Sequence, residues 1–364
     1  FDPRVLTWVA PAVAKAAMDT GVARKPIQNM DKYIESLEVR MGRTHELMTK
    51  VFYKARKNPK RIVLPEGENP KIIKAAIIAV DSKIAKPILI GTEEKIREVA
   101  EANNYDLTGI EIIDPRKYEK NESFINEYYK KNMLSDRNYF GAMMVKNGDA
   151  DGMVSGITKH YPDTIRPALE IVGKEDEYKV VSGMYILTTK SSTYFLADTT
   201  VNIDPNAEEL ADITLQTANF VKNFDIIPKV ALLSYSNFGS VKGEIPTKIK
   251  DSLKIIQNRN PKLMVDGDMQ ADTAVNPYIL EQFFPFSNLK GAANVLIFPN
   301  LVSGNTAFKL LHHIGGARLI GPVILGMKKP INVLHRADEV NQIVELIAIT
   351  VVDAIQRERL KKIS

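Results

Sequence analysis

The chain has 364 residues, of which 45% are hydrophobic and 26% charged, and its formal net charge is +5. This is the composition of an ordinary globular protein, long enough for two domains. No apolar run approaches the ~20 residues of a membrane span and no secretory signal opens the chain, so we expect a cytoplasmic protein without a membrane partner. The lack of cysteine excludes disulfides, thiolate catalysis and cysteine-bound zinc. The positive charge favours an anionic partner, but no nucleic-acid recognition motif accompanies it.

The first forty residues predict helices. The alanine-rich run from Val9 to Met18 has a proline in its first turn and is followed by Gly21, a pattern typical of a helix and its end. Two further helices are predicted within residues 31–57, where apolar side chains recur at helical spacing. One interpretation of residues 1–42 is a helical extension that packs on the domain after it.

From residue 61 onward, short apolar strands alternate with longer amphipathic helices. This rhythm predicts α/β domains in which mostly parallel sheets are covered by helices on both faces, giving three layers. The strands predicted up to residue 154 are 61–64, 87–90, 110–113 and 151–154. The helices predicted over the same part are 70–81, 93–103, 122–131 and 136–146.

A small-residue loop follows the strand at 151–154 and leads into a helix that carries Arg166. The small and polar residues of this stretch are Ser155, Gly156, Thr158 and Thr164. A guanidinium group offers fixed parallel donors and a helix start offers free backbone N–H groups, so we predict that the stretch binds phosphate oxygens. The alternative is that Arg166 pairs with Glu170, one turn later on the same helix.

The middle of the chain predicts a second α/β unit. Its predicted elements are strands 180–187, 194–197, 230–234 and 263–266, and helices 205–224, 246–257 and 277–284. Between the strand at 230–234 and the next helix lies a loop with Ser236 and Ser240. This loop either contacts a ligand or is an ordinary strand-to-helix connection, and with one glycine and no lysine-serine pair it is no P-loop.

Metal and nicotinamide chemistry lack sequence support in this chain. Three carboxylates could suggest a divalent cation site, namely Asp266, Asp268 and Asp272, yet we predict no metal there. The histidines share no zinc-ligand spacing. No Gly-x-Gly-x-x-Gly occurs, so the fingerprint of a nicotinamide-binding domain is missing.

The stretch from residue 294 to 342 predicts a ligand crevice. A buried strand at 295–298 is followed by Ser303, Gly304 and Asn305, where we expect a helix to start with free N–H groups that can meet an anion. A second strand and a terminal helix at 338–359 follow. A turn at the end of a buried strand is where open α/β sheets bind ligands.

Long motifs occur in a fixed order along the chain. They are Phe140-Gly-Ala-Met-Met-Val, Asp163-Thr-Ile-Arg-Pro-Ala168, Asp266-Gly-Asp-Met-Gln, Pro299-Asn-Leu-x-Ser-Gly-Asn305, Gly321-Pro322 and Lys329-Pro-Ile-Asn332. Together they resemble the phosphotransacetylase family, which moves acetyl between coenzyme A and phosphate. The resemblance implies two α/β domains with a cleft between them, the first formed by residues 43–174 and 327–364 and the second, inserted one by 175–326.

The resemblance also implies site residues and partners. The family arginine at position 166 contacts coenzyme A, and a loop comparable to 236–240 lies at the acetyl and phosphate end of the cleft. The expected ligand-binding residues for acetyl-CoA or CoA are Ser155, Gly156, Thr158, Thr164, Arg166, Ser236, Ser240, Ser303, Asn305, Gly321, Pro322, Lys329 and Arg336. Because the family dimerises, we expect at least a homodimer. The terminal helix carries a wide apolar stripe that the sheet or another subunit must cover.

The chain departs from the family at the positions that carry catalysis. A family serine is His335 here, and the aspartate seven residues later, which activates the coenzyme A thiol, is Gln342; a family arginine aligns with His313. Glutamine cannot accept a proton near neutral pH, so it cannot act as a general base. His335 can titrate. The nearest carboxylates lie about one turn off the base position, a poor geometry for rescue: Asp338 and Glu339.

Residues 1–42 do not fit the phosphotransacetylase pattern and are similar to the C-terminal end of the catalytic domain of bacterial malic enzymes. The chain also begins with Phe1 rather than Met. We therefore interpret it as part of a hybrid malic enzyme, whose absent malic domain converts malate to pyruvate and CO2 with NADP and Mg²⁺ or Mn²⁺. The predicted function of this chain is a regulatory, catalytically silent domain that binds acetyl-CoA as an allosteric inhibitor and supports oligomerisation. The alternatives are an active phosphate acetyltransferase and a purely structural oligomerisation domain.

Overall fold

The computed structural model describes residues 8–40, 43–118 and 136–362, and it confirms the predicted α/β class. The elements of the first part are α1 (Ala10–Asp19), α2 (Met30–Arg40), α3 (Arg43–Lys57), β1 (Lys60–Leu64), α4 (Pro70–Asp81), β2 (Ala85–Ile90), α5 (Glu93–Ala102), β3 (Glu111–Ile113), α6 (Arg137–Asn147), β4 (Gly152–Ser155) and α7 (Tyr161–Ile171). Those that follow are β5 (Ser182–Thr188), β6 (Thr193–Ala197), α8 (Ala207–Val221), β7 (Lys229–Leu233), α9 (Glu244–Arg259), β8 (Met264–Met269), α10 (Ala271–Val275), α11 (Pro277–Phe283), β9 (Val295–Ile297), α12 (Leu301–His313), β10 (Arg318–Leu325), β11 (Ile331–Val333) and α13 (Val340–Lys361).

The first sheet has five strands in the order β11-β4-β1-β2-β3, and all its pairs are parallel. A parallel pair needs a crossover, which α4 supplies between β1 and β2. α4 starts at Pro70 because Asn69 caps it, with its Oδ1 accepting the Lys71 N–H at 2.9 Å. Parallel pairing brings the carboxyl ends of these strands to one edge of the sheet.

Side chains of β1 alternate between two helical layers. Ile62 and Leu64 belong to an apolar core that includes residues of α3, α4 and α13. Val63 points the other way, into a core with Phe140 of α6 and Ile165 of α7. This period of two is what a strand buried on both faces requires, and it gives the predicted three layers.

The second sheet has six strands in the order β10-β5-β6-β9-β7-β8. β10, β5 and β6 pair antiparallel, whereas β6, β9, β7 and β8 pair parallel. Ile186 and Phe195 face the core that contains α8 residues, and Leu187 and Leu196 face a core with Phe308 of α12. The second unit is therefore also a sheet between two helical layers.

Two chain segments cross side by side where they join the sheets. The Glu175 N–H donates to the Gly326 carbonyl at 2.7 Å. Arg357 of α13 pins this crossing, because its Nη1 donates to the Met327 carbonyl at 2.7 Å and the same side chain pairs with Glu175 and Asp353. The predicted domain boundaries stay predictions, and they fall at this crossing.

The apolar stripe of the terminal helix is covered within the chain. Ile347 and Val351 are fully buried, and α3, α4, β1 and β4 pack against α13. The sequence left open whether the sheet or another subunit covers this stripe, and in the structure the chain itself covers it. The stripe therefore gives no support to a second subunit.

The expected helix start at residues 303–305 is wrong by a few residues. α12 begins at Leu301 with Asn300 as its N-cap, and the Asn300 Oδ1 accepts the Ser303 N–H at 3.0 Å. The small residues therefore lie inside the first turns of the helix rather than before it. The predicted helix 122–131 lies outside the described residues. Among the described residues, no helix is long and apolar enough to cross a membrane.

Candidate functional site

Most of the predicted site residues lie near the carboxyl ends of parallel strands. β4 ends at Ser155 and β11 ends at Val333, and these two residues are opposite each other in the register of the sheet. The Leu334 N–H donates to the Ser155 carbonyl at 2.7 Å, so the loops after β4 and β11 leave the sheet in contact. This edge is where α/β sheets hold ligands.

The loop 155–158 holds a carboxylate of the chain itself. Glu66, just after β1, accepts the N–H groups of Gly156 at 2.7 Å and Ile157 at 2.9 Å through Oε2. Its Oε1 accepts the N–H of Thr158 at 2.7 Å and also the Thr158 hydroxyl. The N–H groups of this loop converge on a carboxylate, and we call them, with the Thr158 hydroxyl, the cradle of Glu66. That these residues bind phosphate stays a prediction.

Ser155 is buried and does not face solvent. Its Oγ donates to the Asn138 Oδ1 at 2.8 Å, while the Asn138 Nδ2 is a buried donor without a partner among the described residues. A cavity of about 700 Å³ opens beside this pair. Its lining includes Glu66, Asn69, Asn138, Thr158 and Lys159.

The cations of this cavity are already paired with carboxylates. Arg137 donates to Glu68 at 2.5 Å, and Lys159 pairs with Asp136 at 2.6 Å. Burial alone would raise the pKa of Glu68, but hydrogen bonds from Arg137 and from the Thr92 N–H outweigh it and leave that pKa lowered. The cavity therefore offers little uncompensated positive charge.

Helix α7 presents its two predicted ligand residues differently. Thr164 is buried and its hydroxyl donates to the His160 carbonyl at 3.2 Å, which satisfies it within the helix. Arg166 is exposed and makes no hydrogen bond or ion pair with any described residue. The alternative pairing with Glu170 is not formed, because Glu170 accepts the Tyr139 hydroxyl at 2.7 Å. Burial and this hydrogen bond raise the pKa of Tyr139 to about 12.

The turn after β6, a strand of the second sheet, contacts α7, which packs on the first sheet. Asp198 is buried and accepts the N–H groups of Thr200 at 2.8 Å and Asn202 at 2.9 Å, and burial raises the pKa of Asp198 despite these bonds. The Tyr161 hydroxyl at the start of α7 donates to the Thr200 Oγ1 at 3.1 Å. This contact brings the sites of the two sheets together.

The first turns of α12 pack on the same turn. A Cβ on Gly304 would lie 2.2 Å from the Asp198 carbonyl oxygen, so only glycine allows this approach. The Asn305 Nδ2 donates to the Thr199 carbonyl at 3.1 Å. The Ser303 N–H and hydroxyl both bond to Asn300. These predicted ligand residues anchor the helix.

The loop 236–240 closes on itself. The buried Ser236 Oγ accepts the Val241 N–H at 3.1 Å and lies 3.3 Å from the Ser240 Oγ. Asp268 braces the loop from β8, with its Oδ1 accepting the Gly239 N–H at 2.9 Å. The Asp268 Oδ2 is a buried acceptor without a partner among the described residues.

The carboxylates considered for a metal do not converge. Asp266 accepts the Ser287 hydroxyl at 2.8 Å and the Asn288 N–H at 2.7 Å, so it holds a loop. Within the described ranges, no group of three or more histidine or acidic residues has the geometry of a metal site.

Three predicted ligand residues lie away from the loop 155–158. Gly321 and Pro322, joined by a cis peptide bond, form a bulge in the edge strand β10, and a Cβ on Gly321 would lie 2.9 Å from the Met184 carbonyl oxygen. Lys329 precedes β11 and so lies at its amino end, away from the loop 155–158. The structure therefore does not bring these three residues to the cradle.

The turn after β11 contains one of the altered family positions, His335, together with Arg336. His335 and Arg336 are exposed, and the Arg336 Nε donates to the Lys159 carbonyl at 3.1 Å. Asp338 is buried and accepts the His335 N–H at 2.8 Å. Burial raises the pKa of Asp338 to about 6, against the lowering effect of that hydrogen bond.

Gln342 is engaged in the start of the terminal helix. Its Oε1 accepts the Glu339 N–H at 2.9 Å, and the Glu339 side chain accepts the Gln342 N–H, which together form a capping box. His313, the other degenerate position, is exposed in the last turn of α12, with its ring centroid 4.7 Å from that of His312.

A family model decides the affiliation of the chain. The model described as phosphate acetyl/butaryl transferase matches residues 46–351. The chain belongs to the phosphate acetyl/butaryl transferase family. The phosphate acetyltransferase of Bacillus subtilis is 37% identical over 306 residues, which cover 81% of this chain and 95% of that enzyme. A phosphotransacetylase structure from Streptococcus pyogenes matches with a TM-score of 0.81 and 35% identity, covering 85% of this chain and 98% of that one.

A second group of relatives consists of malic enzymes. The NADP-dependent malic enzyme of Escherichia coli is 37% identical over 372 residues, which cover 97% of this chain and 49% of that enzyme. The similarity is to the C-terminal part of these enzymes. The chain thus spans about half the length of the malic enzymes that it matches.

Sequence reasoning missed two carboxylates in this phosphate acetyl/butaryl transferase fold. Glu66 accepts the N–H groups of the loop 155–158, and Asp198 supports the turn under α12. The sequence identifies Asp338 as a neighbouring carboxylate but gives no sign that it is buried beside His335. Asp198 directly follows β6, and Glu66 follows β1 after a single residue, Pro65. The sequence signal that could have identified them is an acidic residue at the carboxyl end of a buried strand.

Proposed function

We propose that this chain is a regulatory, catalytically silent phosphotransacetylase-like domain of a malic enzyme, and that acetyl-CoA binds it as an allosteric inhibitor. In this proposal the preceding domain of the same cytoplasmic polypeptide converts malate to pyruvate and CO2. NADP and Mg²⁺ or Mn²⁺ belong to that domain, and this chain binds neither. The similarity to the C-terminal part of malic enzymes over 97% of the chain supports this assignment.

The proposal of catalytic silence rests on Gln342, which stands where the family base is expected. Acetyl transfer needs a base that takes the proton of the coenzyme A thiol, and a carboxamide has no acceptor basic enough near neutral pH. Gln342 is also held in the capping box with Glu339, so its amide serves the helix start. We expect acetyl phosphate formation at least ~10²-fold below that of a working relative.

Binding of acetyl-CoA rests on two arginines. Coenzyme A carries a 3′-phosphate and a pyrophosphate, which need cations that are not already neutralised. Arg166 is exposed and makes no hydrogen bond to a described residue. Arg336 uses only its Nε, which donates to the Lys159 carbonyl. Because the N–H groups of the loop 155–158 already donate to Glu66, we expect the phosphates of coenzyme A to bind the side chains of Arg166 and Arg336.

Inhibition requires that acetyl-CoA favours one arrangement of the protein over another. A ligand that binds two states equally shifts nothing. Elements of the two sheets are joined by the Tyr161–Thr200 hydrogen bond and by the crossing where Arg357 donates to the Met327 carbonyl. In this proposal acetyl-CoA binds between them and favours one arrangement of the two sheets. Acetyl-CoA signals that carbon derived from pyruvate is plentiful, and inhibition is the matching response.

The second candidate function is an active phosphate acetyltransferase. The buried Asp338, with a pKa of about 6, favours it, because a carboxylate near a coenzyme A site could take over as base. An assay of acetyl phosphate formation from acetyl-CoA and phosphate separates the two functions. Turnover at the rate of the Bacillus subtilis enzyme would establish the second.

Assembly into at least a homodimer remains part of the proposal. With α13 covered, a group of exposed apolar side chains lies on α12 and at its C-cap, namely Val302, Leu310, Leu311 and Ile314. A symmetric contact would bury them twice. Light scattering that finds a monomer at micromolar concentration removes this proposal. A dimer that gives no heat with acetyl-CoA would instead indicate a purely structural oligomerisation domain.

A further inference from the structure

The cavity beside Ser155 and Asn138 contains a polar group that the fold leaves unused. Asn138 lines this cavity and is fully buried, yet its Nδ2 has no hydrogen-bond partner among the described residues. Its Oδ1 accepts the Ser155 hydroxyl at 2.8 Å. Turning the carboxamide over would let Nδ2 donate to the Ser155 Oγ and leave Oδ1 unpaired, so in either orientation one end lacks a partner. An unpaired buried polar group is costly, and a ligand that bonds to it removes that cost.

The charges around the cavity disfavour a phosphate group inside it. The described part of its lining has three carboxylates, Glu66, Glu68 and Asp136, against the two cations Arg137 and Lys159. Both cations are paired within this lining, Arg137 with Glu68 and Lys159 with Asp136. Enclosing a further anion without a free cation is unfavourable, so the cavity favours an uncharged ligand.

The rest of the described lining is apolar or bears an amide. Pro65 and Pro70 supply ring surface, and Asn69 supplies a carboxamide whose Oδ1 accepts the Lys71 N–H at 2.9 Å. The volume of about 700 Å³ is that of a small-molecule site, for which about 300–1,000 Å³ is usual. A ligand that matches this lining is uncharged, has apolar carbon atoms and has groups that both donate and accept hydrogen bonds.

The cavity lies beside the two arginines that are proposed to hold the phosphates of coenzyme A. The Arg336 Nε donates at 3.1 Å to the carbonyl of Lys159, a residue of the cavity lining. Arg166 is on α7, which packs on α6 through the hydrogen bond from the Tyr139 hydroxyl to Glu170 at 2.7 Å. The first turn of α6 lines the cavity. A ligand whose phosphates bind these arginines therefore has the cavity next to it.

Coenzyme A joins its phosphates to its thiol through the pantetheine arm, which is uncharged and contains two amides, a hydroxyl group and two methyl groups. We propose that the cavity receives the pantetheine arm of acetyl-CoA and that the Asn138 carboxamide bonds to one of its amides. This inference rests on the proposed acetyl-CoA site and deepens it, because it gives a place to the uncharged part of the ligand. An amide has both a carbonyl and an N–H group, so it pairs with whichever end of Asn138 is free.

Isothermal titration of the 364-residue chain with two ligands tests this placement. Acetyl-CoA contains the pantetheine arm, whereas adenosine 3′,5′-bisphosphate is the nucleotide end of coenzyme A without it. We expect Asn138→Ala to weaken acetyl-CoA binding about fivefold or more, since one hydrogen bond is lost, and to leave the affinity for the bisphosphate unchanged. The matched control is Asn103→Ala, which removes an exposed carboxamide at the end of α5 and should change neither affinity.

An unchanged affinity of Asn138→Ala for acetyl-CoA overturns the placement, and so does an equal loss for both ligands, because the contact would then not be specific to the arm. If Asn138→Ala does not fold, the two ligands are compared on the unmodified chain. Acetyl-CoA should then bind at least about tenfold more tightly than the bisphosphate, and equal affinities overturn the placement. An unmodified chain that gives no heat with acetyl-CoA contradicts the proposed function itself, whereas acetyl-CoA binding that does not depend on Asn138 contradicts only the placement of the arm.

Discussion

The loops after β4 and β11 leave neighbouring strands and touch, yet they illustrate opposite relations between motif and function. The loop 155–158 keeps its family motif, and its donors are spent on Glu66 inside the chain. The turn at 335–342 leads to Gln342, at the position where the family resemblance implies the base, and its Arg336 is exposed. The retained motif thus has an architectural role in this structure, and the proposal of catalytic silence rests on the altered turn.

The largest effect is expected when the cradle loses its carboxylate. Glu66→Ala leaves the buried N–H groups of Gly156 and Ile157 without their acceptor, as well as the N–H and hydroxyl of the exposed Thr158, and each unpaired buried donor costs about 1–3 kcal/mol. Because such costs are not additive, we expect the free energy of unfolding, measured with urea, to fall by more than about 3 kcal/mol.

The control for this cradle variant is Glu68→Ala. Glu68 is a partly exposed partner of Arg137, and its loss should cost less than about 1 kcal/mol. Similar losses in the two variants would mean that the carboxylate of Glu66 does not hold the loop.

The pH dependence of stability tests the other loop. The pKa of Asp338 is about 6 in the folded protein against an ordinary 3.8, so between these values the folded state holds more protons than the unfolded state. The free energy of unfolding should therefore fall as pH rises from about 4 to about 6, by about 3 kcal/mol at most. Lys71, His335 and Glu339 face this carboxyl group and share its field.

Asp338→Asn should remove that part of the pH dependence. Other buried carboxyl groups also titrate, so the quantity to compare is the difference in unfolding free energy between the two proteins at each pH. A difference that stays constant from pH 4 to 7 would show that Asp338 keeps an ordinary pKa.

A smaller effect is expected for Arg166, which makes no hydrogen bond or ion pair with the residues that the structure describes. Arg166→Ala should weaken acetyl-CoA binding about tenfold or more, since a charge-assisted phosphate contact is worth about 1.5–3 kcal/mol. In the full-length enzyme, inhibition of malate turnover should weaken equally, while turnover without acetyl-CoA stays near normal. Stability should not change, because Arg166 is exposed.

The control for this ligand variant is Arg97→Ala, which removes an exposed arginine that pairs with Glu93 on α5. It should leave the acetyl-CoA response unchanged. An unchanged response in Arg166→Ala as well would exclude this cleft as the regulatory site.

Local sequence patterns were sufficient to predict the helices and strands. They were not sufficient to predict the side-chain contacts between these elements. Asn69 with Pro70 fixes the start of α4, and the predicted helix 70–81 is found there. At α12 both Asn300 and Ser303 are residue types that cap helices, and only the structure shows that Asn300 is the cap and Ser303 donates to it. Sequence order alone could not decide between them.

Two of the contacts that sequence reasoning missed are long-range. Glu66 reaches the loop 155–158 because β1 and β4 are neighbours in the sheet, although they are far apart in the chain. Gly321 and Pro322 matched a family motif, but their place in a bulge of β10 depends on pairing with β5. Such roles follow from topology, which a family resemblance supplies and a local pattern does not.

The most direct test of binding without turnover measures both on one preparation. Isothermal titration of the 364-residue chain with acetyl-CoA is followed by the acetyl phosphate assay, with the Bacillus subtilis phosphate acetyltransferase as the working reference. We predict a saturable heat of binding together with a rate at least ~10²-fold below the reference, because Gln342 cannot replace the base. The absence of binding heat, or turnover at the reference rate, would contradict the account.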